Sequence, residues 1–140
     1  MATSNPLEDF RIPVKLRLSA LWASVMLCYI YGDIFGFFKP GTLADILAGK
    51  TGPLGTQPGL FAAALLMAIP SVMVFLTLAL APTASRCANI VLGLLYTAVI
   101  IATMPGAWMF YIFLGVVEAV LTLLIVWHAW TWPRPASGTV

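Results

Sequence analysis

The chain has 140 residues, of which 61% are hydrophobic and only 9% charged, with a formal net charge of +2 at pH 7. Soluble domains carry about 25% charged residues, and disordered chains combine low hydrophobicity with high charge, so both classes are excluded. So small a net charge gives no footing for a nucleic-acid partner. One transmembrane helix uses roughly 20 apolar residues, which leaves room for four and for no soluble catalytic domain beside them.

The first apolar stretch covers residues 18–38 and ends at Lys39-Pro40-Gly41. A basic segment precedes it, as in a signal peptide, but the stretch is too long and no small-residue cleavage site follows, so it is expected to remain as an anchor. The outer loop, 39–59, carries a short helix at 43–48, with Thr42 expected as its cap and Gly49 as its stop. The remainder of that loop, 51–59, reads as plain loop. The second stretch covers 60–81. Pro70 inside it has no N–H to donate, so it should kink the helix and free one carbonyl. The third covers 87–104, with 82–86 as the connection before it and Pro105-Gly106 after it. The fourth covers 108–132. Backbone polar groups in hydrocarbon must be satisfied within the segment, and alternating ten-residue strands are absent, so the expected fold is an all-α four-helix transmembrane bundle. The short connections make the last three helices antiparallel neighbours. Cys28 near mid-membrane and Cys87 at one end are too far apart for a disulfide.

Charge orients the helices. Arg11, Lys15, Arg17, Arg86 and Arg134 belong to one side, Lys39 and Lys50 to the other. The positive-inside rule then puts both termini in the cytoplasm.

Ala20, Ser24, Cys28, Gly32 and Gly36 recur every four residues, a small-residue ridge suited to close helix packing. Asp33 and Glu118 are the carboxylates within spans. Burying such a group costs several kcal/mol unless it is paired or protonated, so both are candidate binding groups. At about 1.5 Å rise per residue, Asp33 lies about 8 Å deep and Glu118 about 15 Å, which disfavours a direct pair. Tyr29 and Tyr96 fall level with Glu118, and Tyr111 nearer Asp33. Asn89, Gly93, Tyr96 and Thr103 share one helix face, and Tyr111, Gly115, Glu118 and Thr122 another. These stripes either hold the helices in register or line a small outward-facing cavity around Glu118. Desolvated carboxyls of this kind serve as proton carriers. His128, among Trp127, Trp130 and Trp132, fits an interfacial aromatic belt. As the sole histidine it cannot build a metal site, and no nucleophile has an evident base, so neither catalytic nor metal residues are assigned.

Leu21-Trp22, Tyr29-x-Tyr31-x-Asp33-Ile34, Pro40-Gly41, Met67-x-Ile69-Pro70, Arg86-x-x-Asn89-Ile90, Tyr111, Phe113, Glu118 and Ala129-Trp130-x-Trp132 follow in order over about residues 16–132. In these motifs the chain resembles an uncharacterised family of small bacterial four-helix membrane proteins, a domain of unknown function. Ala68 stands where that pattern often has Glu, and Cys87 where it often has Trp. Loss of a third buried acid weakens any shared ion-binding mechanism. The resemblance implies the fold, a multi-pass protein of the bacterial inner membrane, and Asp33, Asn89 and Glu118 as marked positions. It implies no activity and no cofactor.

Two functions from different classes follow. The leading one is a non-catalytic membrane protein, homo-oligomeric or an accessory subunit of a larger complex, with lipid and a membrane protein as partners. The alternative is a proton-linked carrier or channel for a small polar or amphiphilic molecule through Glu118.

Overall fold

The computed structural model describes residues 11–133. Among these the chain is all-α. The order is α1 (Val14–Phe37), α2 (Thr42–Leu47), a 3₁₀ turn (Gly52–Gly55), α3 (Gln57–Ala79), α4 (Pro82–Thr103) and α5 (Met109–Trp130). α1, α3, α4 and α5 are each long and apolar enough to cross a membrane. Arg134 lies outside the described residues.

α1, α3 and α4 begin earlier than the apolar stretches do, because polar residues near a membrane surface continue a helix that hydropathy alone cuts short. α1 takes Lys15 and Arg17 into its first turn, directly after Pro13. α4 starts at Pro82, so the expected connection 82–86 is helical and only Leu80 and Ala81 link α3 to α4. Proline suits that first position, where its missing N–H would have had no helical acceptor. The expected plain loop at 51–59 is also structured: the 3₁₀ turn occupies part of it, and α3 starts at Gln57. Thr56 caps α3, its Oγ1 accepting from the Gly59 N–H at 3.2 Å. Thr42 is not the cap of α2 but its first helical residue. The cap is Gly41, whose φ of +85° is a left-handed conformation that glycine adopts without strain.

α1 lies between α3 and α5, while α4 packs along α5 and touches α3 less extensively. α1 and α4 face each other across the core through Trp22 and Tyr96, whose rings meet edge to face at 5.9 Å. The outer surface is apolar, and the interior combines an apolar core that includes Leu18, Trp22, Val25 and Ile125 with polar side chains. Leu27, Phe61, Phe75, Leu94 and Leu123 are among many large apolar side chains that face outward, whereas Ser19, Thr77, Ser85, Asn89, Thr97, Glu118 and Thr122 are buried. Hydrocarbon supplies apolar contact outside, so the interior can be spent on polar bonds.

The closest helix approach lies between α4 and α5 and not along the α1 ridge. A Cβ on Gly93 would sit 2.7 Å from Val126 Cγ2 and 3.3 Å from the Thr122 carbonyl oxygen. On the ridge, a Cβ at Gly32 would meet Leu114 Cδ1 at an ordinary 3.7 Å, and one at Gly36 would meet nothing within 4 Å. Ala20 is exposed.

Candidate functional site

Where α1 and α4 begin and α3 and α5 end, the polar side chains form a closed network. Asn89 is its centre. Its Oδ1 accepts from Trp22 Nε1 at 2.7 Å, and its Nδ2 donates to the Ser85 carbonyl at 2.7 Å and to Thr77 Oγ1 at 3.3 Å. Ser85 Oγ in turn donates to the Thr77 carbonyl at 3.0 Å. Four residues separate Ser85 from Asn89, which puts both on the face turned to α3. Asn89, expected as a candidate ligand, therefore has its amide occupied within the protein. Two cations close the helix ends nearby. Lys15 Nζ donates to the Leu78 carbonyl at 3.0 Å and also to that of Leu80, and Arg86 Nε donates to the Ala129 carbonyl at 3.1 Å. Cations at helix C-termini meet the unsatisfied carbonyls and the negative end of the dipole.

Midway along α3, Pro70 is buried and supplies no N–H to the Leu66 carbonyl. Tyr96 supplies the missing donor: its hydroxyl reaches the Leu66 oxygen at 2.5 Å. Tyr96 is thus engaged as a bridge from α4 to the α3 kink. Between α4 and α5, Thr97 and Thr122 hydroxyls lie 2.7 Å apart. The one that donates across leaves the other to bond its own helix, Thr97 to the Gly93 carbonyl or Thr122 to that of Glu118.

Glu118 differs from all of these. It is 7% exposed, and among the described residues its carboxyl makes no hydrogen bond, whereas the other buried polar side chains each make at least one. Every buried side-chain oxygen or nitrogen that is sealed from the surface has a partner, so the unpartnered carboxyl keeps an accessible edge. Asp33 is within electrostatic reach of it. Tyr29 is likewise within electrostatic reach of Glu118, Tyr96, Tyr111 and Cys28. Asp33 is exposed on α1, and it and Glu118 are not hydrogen-bonded to each other. Tyr29 is half-buried, with its ring 6.5 Å from that of Tyr96. Tyr111 is more open, and its hydroxyl donates to Thr103 Oγ1 at 3.3 Å.

A model for a family of unknown function, DUF6326, matches residues 9–139. The chain belongs to the DUF6326 family. No curated protein and no solved structure matches it.

In this DUF6326 chain the Tyr29 and Tyr96 rings lie near each other and Asp33 is within electrostatic reach of Glu118, whereas Asn89 is engaged in its own network, joined to Tyr96 through Trp22. Two surface grooves, of about 490 and 480 Å³, lie elsewhere: one on the outer face of α5 around Trp127 and Trp130, the other beside Arg17 and His128. Neither is lined by Glu118. Sequence reasoning passed over Trp22, Thr77, Ser85 and Thr97 as structural partners. The four-residue spacings Ser85–Asn89 and Gly93–Thr97 were the available signal, while Thr77 and Trp22 belong to other helices and could be matched to Asn89 only in three dimensions.

Proposed function

We propose that the protein is a small multi-pass protein of the bacterial inner membrane, a non-catalytic four-helix bundle with cytoplasmic termini. In this reading Glu118 binds a proton or a small cationic or polar molecule that crosses the bilayer. The observation that carries the reading is the unpartnered Glu118 carboxyl. An ionisable group within a membrane span that no other described side chain pairs is by default a candidate for a proton or ligand pathway. The hydroxyls of Ser19, Ser85 and Thr77, each committed to a carbonyl or to Asn89, support the non-catalytic part. The orientation is supported by Arg11, Lys15, Arg17 and Arg86 at one end against Lys39 and Lys50 beyond the other.

The test is proton flux into proteoliposomes carrying an entrapped pH dye under an imposed potential. Wild type should exceed protein-free vesicles, and Glu118→Gln should abolish the excess while eluting from size exclusion as wild type does. Flux in Glu118→Gln equal to wild type refutes the reading.

Assembly, as a homo-oligomer or an accessory subunit, is a second reading, and it is compatible with the first. Its support is the wholly apolar groove on α5, about 490 Å³, where Val120, Leu124 and Trp127 leave space for a helix of another chain.

A further inference from the structure

We propose that the groove between the first turns of α1 and the last turn of α5 binds an anionic phospholipid, with its phosphate on Arg17 and His128 and an acyl chain along α1. The groove measures about 480 Å³, within the 300–1,000 Å³ typical of ligand sites. Its lining is mostly apolar, Ile12, Leu16 and Leu21 together with the small residues Ala20 and Ser24. Those two are the first steps of the α1 ridge. α5 does not close on the ridge here as it does at Gly32, so the small side chains leave an open trough. Ser24 Oγ donates to the Ala20 carbonyl at 3.0 Å, so its hydroxyl proton is spent on the helix. From Arg17 to Ser24 the trough follows α1 for about 10 Å into the membrane.

The charge pattern selects the headgroup. Of the described basic residues at this end, Lys15 and Arg86 are spent on helix carbonyls, whereas Arg11 and Arg17 are exposed, and Arg17 lines the groove together with His128. None of the described residues lining the groove is acidic. A guanidinium presents a planar pair of N–H donors that matches phosphate oxygens, and an imidazole N–H adds a further donor. Both sit within the turn of their helix nearest the membrane surface, with apolar positions running deeper, which is the layout of a phospholipid with its phosphate at the interface and its chain below. Basic pockets between transmembrane helices bind anionic headgroups on this principle. The site is independent of Glu118 and of any flux through it.

The test is native mass spectrometry of the full chain in detergent, titrated in parallel with a phosphatidylglycerol and a phosphatidylcholine of the same acyl chains. Wild type should retain phosphatidylglycerol preferentially, and Arg17→Gln should lower that preference by about fivefold, the equivalent of about 1 kcal/mol per basic group at a membrane surface. Ala20→Leu, which fills the trough and leaves both basic groups in place, should reduce retention of either lipid. Arg11→Gln, at a residue that does not line the groove, should lower the preference less than Arg17→Gln does. Equal retention of the two lipids by wild type, a preference undiminished in Arg17→Gln, or wild-type retention in Ala20→Leu overturns the proposal. So does a lipid-free dimer in which a second copy occupies the groove.

Discussion

The bond from Tyr96 to the Leu66 carbonyl exists because Pro70 cannot supply the helical donor, and that dependence can be measured as a coupling. Tyr96→Phe removes one oxygen and keeps the ring, including its edge-to-face contact with Trp22 at 5.9 Å. What is lost is the donor 2.5 Å from the Leu66 oxygen. A buried acceptor left empty costs about 1–3 kcal/mol, and interhelical hydrogen bonds in membranes average about 0.6 and reach about 1.7 kcal/mol. Tyr96→Phe should therefore destabilise the protein by about 1–1.5 kcal/mol. Pro70→Ala restores an N–H at position 70, which can bond the Leu66 carbonyl in the normal helical way. In that background Tyr96→Phe should cost about 0.5 kcal/mol or less, because the carbonyl is no longer orphaned. Any cost of deleting the buried proline ring appears in both Pro70→Ala variants and cancels in the cycle. The assay is reversible unfolding of the four proteins in mixed micelles titrated with dodecyl sulfate, followed by tryptophan fluorescence and helical circular dichroism. Equal costs of Tyr96→Phe in the two backgrounds would refute the assignment of this hydroxyl to the proline kink.

Other substitutions separate structural groups from the rest. Asn89→Leu leaves the Trp22 indole N–H without its 2.7 Å acceptor and should cost about 1–3 kcal/mol in the same unfolding assay; an unaltered midpoint would show that the network is not needed for stability. Gly93→Ala drives a methyl to 2.7 Å from Val126 Cγ2 and should cost about 1–3 kcal/mol by overpacking. Gly36→Ala, with nothing within 4 Å of the new methyl, should be neutral or stabilise by up to about 1 kcal/mol through helix propensity. A reversed order of the two glycine variants would contradict the close approach of α4 to α5.

The all-α architecture was legible because hydrocarbon imposes it: a chain this apolar has few ways to satisfy its backbone, and proline, glycine and charge mark the breaks. Helix starts were less legible. Pro82 and Pro58 fall in the expected connection 82–86 and the expected loop 51–59, yet each sits in a first helical turn, where a missing N–H costs nothing. The Pro70 kink and its freed carbonyl could be foreseen from one residue. That Tyr96 would answer it could not, because the two lie on different helices and only the tertiary arrangement sets their distance. The small-residue ridge illustrates a further limit. A four-residue spacing shows where close packing is permitted, but not which stretches a neighbour fills, and on α1 it is filled at Gly32 and left open at Ala20.

The polar stripes were readable as stripes, but their residues have different fates, and that difference bears on function. Asn89, Tyr96, Thr97 and Thr122 are each consumed by a partner on a neighbouring helix or by their own backbone, and this is enough to account for their presence. Glu118 lies on the same kind of stripe, one turn from Thr122, and makes no such bond. If it served only to hold helices in register, it would be expected to do what those neighbours do. Its accessible, unpartnered carboxyl, with Tyr29 and Asp33 near it, instead resembles a group held ready for something outside the protein. The two classes predict opposite results in the two assays. Asn89→Leu should lower stability and spare flux per folded molecule, whereas Glu118→Gln, which removes an acid that no described internal group pairs, should remove flux and keep or raise stability. A Glu118→Gln protein that unfolded as readily as Asn89→Leu would return the acid to the scaffold and leave assembly as the better reading of the chain.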